Sequence, residues 1–337
     1  MWWRFETLKH RLSPDLTPFM PLRINGVYLG LLNQTFANRI GQDIETIVTD
    51  EECFIWDNIS WQEVATTLQN TARQWHDNGL YNGWRDEKYT VSNLSGSPLF
   101  ALERSAFRPL GFLSHAIHIN GWIEKSGERY YWIGKRSASK AVAPNKLDTT
   151  AGGGIAAGET PHTAMVRESF EEAGVPTLWT QALNENGQVF SLRPVHRGLH
   201  REILYLYDIR LPENFTPQNK DGEVAEFILM NDNQIAQAVI KEQFMEDSAL
   251  TLLINIQNRH KIPPHHPLNG LLLQIQNLPF MQKMCENKFQ AAWNHLNAFF
   301  GFNQRFDNDD NFFIAVRVVV LNKAQFCRHC QHIGIVG

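Results

Sequence analysis

GGIAAGETPHTAMVRESFEEAGV, residues 153–175, decides how this chain reads. Glu168, Glu171 and Glu172 stand at i, i+3 and i+4, so on a helix their carboxylates project from one face. Val166, Phe170 and Ala173 fall on the opposite side and are expected to anchor that helix to a sheet. The ends of the helix are marked. Thr160 suits an N-cap, Pro161 the first helical position and Gly174 a left-handed C-terminal cap. Three like charges on one face repel by roughly a few tenths of a kcal/mol per pair, a penalty that a hard divalent cation with oxygen ligands removes. Arg167 adjoins the cluster and is placed to hold a carboxylate bidentately, with Glu159 a candidate. The glycines before the helix are expected to form a turn in which the backbone approaches an anionic ligand closely. A solvated acidic helix face is the bland alternative for two adjacent glutamates taken alone.

The full spacing goes further. Gly153, five residues, Glu159, seven residues, then Arg167-Glu168-Ser169-Phe170-Glu171-Glu172-Ala173-Gly174-Val175 resembles the Nudix box, G-x5-E-x7-R-E-U-x-E-E-x-G-U, at every invariant Gly, Glu and Arg position. A chance match in a chain of this size is on the order of 10⁻⁶ at average residue frequencies. Ser169 departs from the family, which prefers an apolar residue there, without removing a ligand. The resemblance implies an α/β fold, the Nudix α/β/α sandwich with a mixed sheet, and hydrolysis of a diphosphate linked to another moiety. It implies Mg²⁺ or Mn²⁺ as cofactor, held by Glu168, Glu171, Glu172 and the Gly153 carbonyl, with Arg167 and Glu159 as orienting residues. Family members often add a glutamate from a later loop. DGEVAEF (221–227) offers Glu223 and Glu226, and Glu223 is favoured because it ends the loop where a strand begins.

Flanking stretches extend the likeness. WIGKRSASKAVAPNKLDTTAGGG (132–154), NKDGEVAEFILM (219–230), FMEDSALTLLINIQNRH (244–260), NGLYNGWRDEKYTV and HINGW resemble a Nudix group with an N-terminal domain of unassigned role. That group is related to Nudix modules found with thiamine pyrophosphokinase, which implies thiamine diphosphate or its oxidised forms as substrate. Lys135, Arg136 and Lys140 are candidates for binding the diphosphate. An isopentenyl diphosphate isomerase, which shares the fold, places a cysteine in the loop before the box. Here no cysteine lies between Cys53 and Cys285, so hydrolysis ranks above isomerisation. A non-catalytic diphosphate-binding module is a further alternative, disfavoured because no box glutamate is missing.

Outward from the box, the 337 residues divide by pattern into 1–108, an N-terminal α+β domain; 109–262, the Nudix domain; and 263–337, an unassigned extension. In the first part, residues 60–77 carry Trp61, Val64, Leu68, Ala72 and Trp75 at helical spacing. LYNGWRDEKYTV (80–91) reads as a turn at Asn82-Gly83 and then a strand, and WRDEKY (84–89) joins aromatic and charged groups that suit a substrate pocket. In the second part, strands are expected at 113–119 and 128–135 with breaks at NGW and SGE, then near 187–192 and 202–210. Helices are expected over 161–173, 231–243 and 246–259, with the short apolar run Phe227 to Met230 before the last two. Pro263-Pro264 and the following histidines read as a linker.

Composition sets the outer bounds. Thirty-one Lys and Arg against 35 Asp and Glu give a net charge of −4, which disfavours a dedicated nucleic-acid binder. An apolar fraction of 43% with 20% charged residues supports packed cores. FFIAVRVVVL (312–321) is interrupted by Arg317 and is about half the length a membrane helix needs, so no membrane partner is expected. The opening MWWRFETLKHRL lacks a signal-like apolar stretch, and four cysteines are too few for a disulfide framework, which together point to the cytoplasm. Cys327, Cys330 and His332 invite a zinc reading, but a matching second ligand pair is missing nearby. The partner is a small-molecule diphosphate, and oligomeric state is not legible.

Overall fold

The computed structural model describes residues 14–49, 53–93, 95–140 and 142–277. The 312–321 run, Cys327, Cys330 and His332 lie outside them.

The N-terminal part is built on a four-stranded sheet in the order β2-β1-β4-β3. Its strands are β1 (Met20–Ile24), β2 (Val27–Leu32), β3 (Val48–Thr49) and β4 (Phe54–Trp56), with helix α1 (Gln34–Asp43) between β2 and β3. The expected Trp-bearing helix is α2 (Trp61–Asp77), opened by a reciprocal capping box between Ser60 and Glu63. Val64, Leu68, Ala72 and Trp75 are buried as the spacing required, and the Trp75 indole N–H donates to Asp43 Oδ2 at 2.6 Å. A hairpin of β5 (Lys88–Ser92) and β6 (Pro98–Glu103) follows, and a short helix α3 (Phe107–Leu110) ends in left-handed Gly111. Leu22, Phe36, Trp56, Leu68, Tyr89 and Phe107 share one core.

The second part is a seven-stranded mixed sheet, β11-β12-β7-β8-β13, with β10 paired to β7 and β9 to β8. The strands are β7 (Ser114–Lys125), β8 (Glu128–Arg136), β9 (Leu147–Asp148), β10 (Ala151–Gly154), β11 (Gly187–Val195), β12 (Gly198–Arg210) and β13 (Val224–Asn231). β12 runs parallel to β7, whereas the other pairings are antiparallel. NGW does not interrupt β7. The only turn of that hairpin is Ser126-Gly127, with φ of 53° and 75°, the doubly positive pair of a two-residue turn that matches strand twist.

Helices cover both faces, which makes the α/β/α arrangement. On one face lies α4 (Pro161–Ala173), followed by the short α5 (Thr177–Thr180), and its Ala164 and Met165 pack with Ile117, Ile119 and Trp132. On the other are α6 (Asp232–Ile240), α7 (Glu246–Asn258) and α8 (Pro267–Gln276), which pack with Ala116, Tyr131 and Ile133. The odd and even positions of β7 and β8 thus face different layers, as a pleated strand buried on both sides requires. α8 changes the reading of residues 263–266 as a linker. His266 caps it, Asn269 Nδ2 donates to the carbonyls of Pro263 and Pro264, and Leu268, Leu272 and Ile275 enter the same core as α7. No described helix is long and apolar enough to cross a membrane.

Candidate active site

The capped ends of α4 fall where expected, with Thr160 at the N-cap, Pro161 at N1 and Gly174 left-handed at the C-cap. Its buried face differs from the expectation. Ser169 is 1% exposed and Phe170 is 41% exposed, with the Lys220 ammonium 3.7 Å above the Phe170 ring. The inward row is Met165, Ser169, Glu172 and Ala173, steps of four and three, so it includes a glutamate and excludes Phe170. Ser169 is tolerated inside because its hydroxyl donates to the Met165 carbonyl at 2.7 Å.

The glycines 152–154 are likewise a strand, not a turn. β10 pairs with β7 in the register Gly153↔Ile117, and Gly153 and Gly154 have no positive φ. Close approach is what requires glycine there. A Cβ on Gly153 would lie 2.0 Å from Glu168 Oε1, and one on Gly154 would lie 1.6 Å from the Tyr89 hydroxyl. The carboxylate of α4 and an aromatic ring of the N-terminal part are both seated directly on this backbone.

Arg167 organises the acids around it. Its Nε and Nη2 grip Glu159 bidentately at 2.8 and 3.0 Å, and its Nη1 reaches Glu168 at 2.7 Å and Glu171 at 3.2 Å. Glu159 also accepts from the Ala156 N–H at 3.0 Å, which ties the loop before α4 to the helix. Glu172 is 5% exposed and accepts from the Gly152 N–H at 2.8 Å. Burial, then the charges of Glu168 and Asp148, push its carboxyl up to about 8. Burial raises Glu168 as well, against the pull of Arg167.

A second set of acids approaches from the loop before β13. Carboxylate oxygens of Glu172, Asp221 and Glu223 lie within 4.8 Å of one another. Glu223 is ion-paired with Lys140, whose ammonium is also 3.7 Å from Glu172. Glu226 instead pairs with Lys135 at 2.9 Å, with both side chains largely exposed. Asp221 was not singled out in sequence, although it opens the same DGEV stretch.

The three candidate diphosphate cations separate accordingly. Lys140 and Arg136 line the cavity that contains Glu168, Glu171, Asp221 and Glu223. Lys135 does not, because adjacent residues of β8 point to opposite sides of the strand. Arg136 is committed to structure: its Nη1 pairs with Asp148 at 2.6 Å, and its Nε and Nη2 donate to the Val142 carbonyl. Burial pushes the Asp148 carboxyl up, but Arg136 and His118 outweigh it and hold it below the usual range.

The cavity holds about 450 Å³, and the N-terminal part forms one of its walls. Arg85, Glu87 and Tyr89 from around β5 line it, as do Arg104 and Arg108 from the corner between β6 and α3. WRDEKY therefore does reach the site, through Arg85, Glu87 and Tyr89. The β11–β12 hairpin adds Arg197, and the start of α7 adds Asp247. Asp247 is gripped by Arg193 at 2.7 and 3.0 Å; burial raises its carboxyl, but Arg193 and His200 hold it well below the ordinary range.

These donors fit a hard divalent cation. The converging Glu172, Asp221 and Glu223 offer oxygen only, the preference of Mg²⁺ and Mn²⁺, with Glu168 and Glu171 lining the same cavity, and the buried charge of Glu172 has too little positive charge nearby to offset its burial.

Both parts of the chain are similar to known families. A NUDIX domain family model matches residues 115–247, and a domain of unknown function (DUF4743) matches residues 5–114. Nudix hydrolase 20, chloroplastic, of Arabidopsis thaliana is 30% identical over 263 residues, covering 74% of this chain and 70% of that protein. Nudix hydrolase 24, chloroplastic, of the same plant is 36% identical over 191 residues, covering 56% of this chain; the match spans 52% of that protein, about half its length. The crystal structure of DR0079 from Deinococcus radiodurans aligns with 21% identity and a TM-score of 0.39, over 50% of this chain and 98% of that one.

Proposed function

Because the chain belongs to the Nudix hydrolase family, we propose that it hydrolyses a phosphoanhydride bond in an X-linked diphosphate, with thiamine diphosphate or its oxidised analogues as the substrate class. The observation that carries this reading is the convergence of the α4 carboxylates with Asp221 and Glu223 on one cavity. Glu168, Glu171, Glu172 and the Gly153 carbonyl would hold Mg²⁺ or Mn²⁺, which supplies water activation and neutralises phosphate charge.

The chain's own residues do the rest. Arg167 fixes Glu168 and Glu171 through one guanidinium, so the carboxylates are placed before any ligand arrives. Lys140 lines the cavity between Glu223 and Glu172, and it can exchange Glu223 for a phosphate oxygen. Glu223, freed from Lys140, accepts the proton of the water that attacks phosphorus. As the new P–O bond forms, the bridging P–O bond breaks and its electron pair leaves with the departing phosphate. Tyr89 and Phe107 line the cavity as buried rings that hold the charged wall around them in place.

The test is a panel of thiamine diphosphate, its oxidised analogues, ADP-ribose, dinucleotides and nucleoside triphosphates with Mg²⁺, read by released phosphate and product mass. Turnover of thiamine diphosphate analogues above the others supports the reading. Failure to cleave any diphosphate overturns it.

A further inference from the structure

The cavity is electrically lopsided. Its α4 side presents Glu168, Glu171, Asp221 and Glu223, whereas the opposite wall carries Arg85, Arg104, Arg108, Arg193 and Arg197. Three carboxylates line that second wall, Glu87, Glu202 and Asp247, so five guanidiniums outnumber the acids they meet. Two of the five are paired with carboxylates, Arg104 with Glu87 and Arg193 with Asp247. Arg85, Arg108 and Arg197 form no carboxylate ion pair among the described residues.

Arg108 donates through Nε and Nη2 to His200 Nδ1 at 3.2 and 3.1 Å, which leaves its Nη1 without a protein partner. Arg197 donates through Nη1 to the Asn82 carbonyl at 2.9 Å, and its Nε and Nη2 are uncommitted. Burial, with Arg108 and Arg104 beside it, lowers the Arg197 guanidinium to about 10, the mark of positive charge gathered without a counter-ion. Glu202, which accepts from the Ser114 hydroxyl at 2.7 Å, offsets part of the charge at Arg108 and Arg104 without forming an ion pair with Arg108 or Arg197. Nor is this wall remote from the acids. Arg104 lies over the Tyr89 ring, Tyr89 seats on Gly154, and Glu168 seats on Gly153.

We propose that Arg108 and Arg197, with Arg104 beside them, form a subsite for the terminal, non-esterified phosphoryl group of the substrate. The inference rests on the diphosphatase reading above and specifies its substrate class as diphosphate monoesters. A terminal phosphoryl group carries about two negative charges and three free acceptor oxygens, which the open Nε and Nη2 edge of Arg197 and the Nη1 of Arg108 match. A diphosphate esterified at both ends has one charge per phosphorus and gains little from the same wall. Orthophosphate released from a monoester would be retained there, making it a competitive product inhibitor.

The experiment uses the full chain and inorganic phosphate, titrated calorimetrically in EDTA. Wild type is expected to bind phosphate without metal, Arg197→Gln to weaken binding by at least about 10-fold, and Arg197→Lys to lose less because the charge is kept. With Mg²⁺, Arg197→Gln should raise KM at least about 10-fold for thiamine diphosphate, and by clearly less for ADP-ribose. Circular dichroism verifies folding, and Arg104→Gln serves as the second variant if Arg197→Gln does not fold. Absence of phosphate binding in EDTA, binding insensitive to these variants, or an equal KM rise for monoester and diester overturns the subsite. Arginine-dependent phosphate binding by a protein that cleaves no diphosphate would retain the subsite and refute the hydrolase reading.

Discussion

Adding one methyl group at Gly153 is expected to slow chemistry while sparing stability, and the same change one residue later to lower stability. An alanine Cβ at 153 would lie 2.0 Å from Glu168 Oε1 and 2.3 Å from its carboxyl carbon. Ordinary C···O contact begins above about 3.2 Å, so the carboxylate must retreat by more than about 1 Å, a displacement that costs on the order of 10²-fold in rate when it misplaces a catalytic group. Glu168 ends in flexible bonds and Gly153 has no positive φ, so the retreat needs no backbone shift. The melting temperature of Gly153→Ala should change by no more than about 2 °C. At Gly154 the obstacle is the Tyr89 hydroxyl at 1.6 Å, on a ring that is 6% exposed and packed edge-on against Phe107 at 5.5 Å. Overpacking of that kind costs about 1–3 kcal/mol, or roughly 2–12 °C in melting temperature. Thermal melts and steady-state phosphate release on the two variants form the assay. A Gly153→Ala enzyme with wild-type kcat would refute the placement of Glu168 in the reaction.

Three further outcomes follow from the site. Glu223→Gln should slow single-turnover cleavage more than Glu226→Gln, because Glu223 lines the cavity while Glu226 pairs with Lys135 outside it; a larger loss at Glu226 reverses the assignment. Asp148→Asn should destabilise by about 3–5 kcal/mol, since Arg136 would be left buried beside a neutral amide. The Asp148 carboxyl is held below its ordinary value in the folded state, so its contribution is present above about pH 4 and lost as pH falls further; melts between pH 5 and 3 should slope less in the variant. Glu172 has the opposite sign: its folded value of about 8 lies above 4.5, so its charge weakens the metal-free fold increasingly from pH 4.5 to 8. In EDTA at pH 7.5, Glu172→Gln should therefore melt no lower than wild type, with the amide oxygen still accepting from Gly152.

Helix α4 and its acids were legible because capping and i, i+4 spacing are local. The same locality explains the misplacement of Phe170: its apolar ring suggested an inward face, but buried Glu172 takes that position, supported by a backbone N–H from a strand twenty residues earlier. Glycines in a row suggested a turn, and only tertiary structure shows that their missing side chains make room for Glu168 and Tyr89. The arginine wall was not readable at all. Arg104 and Arg108 stand four apart around α3, but Arg197 comes from the turn between β11 and β12, and it meets them only because α3 packs against β12. Asp148 was hidden for a similar reason, since its partners Arg136 and Ser248 come from a neighbouring strand and a distant helix.

The most direct measurement is kcat with saturating Mg²⁺ for wild type and Glu172→Gln, on whichever diphosphate of the panel is cleaved fastest. Phosphate release is followed before and after chelation. Chelation is expected to stop the wild type, and the folded variant is expected to turn over at least about 10²-fold more slowly, because it lacks one charge of the carboxylate set on α4. Near-normal turnover by the metal-saturated variant, or wild-type activity that survives chelation, would contradict the assignment of this helix as the catalytic metal-binding element.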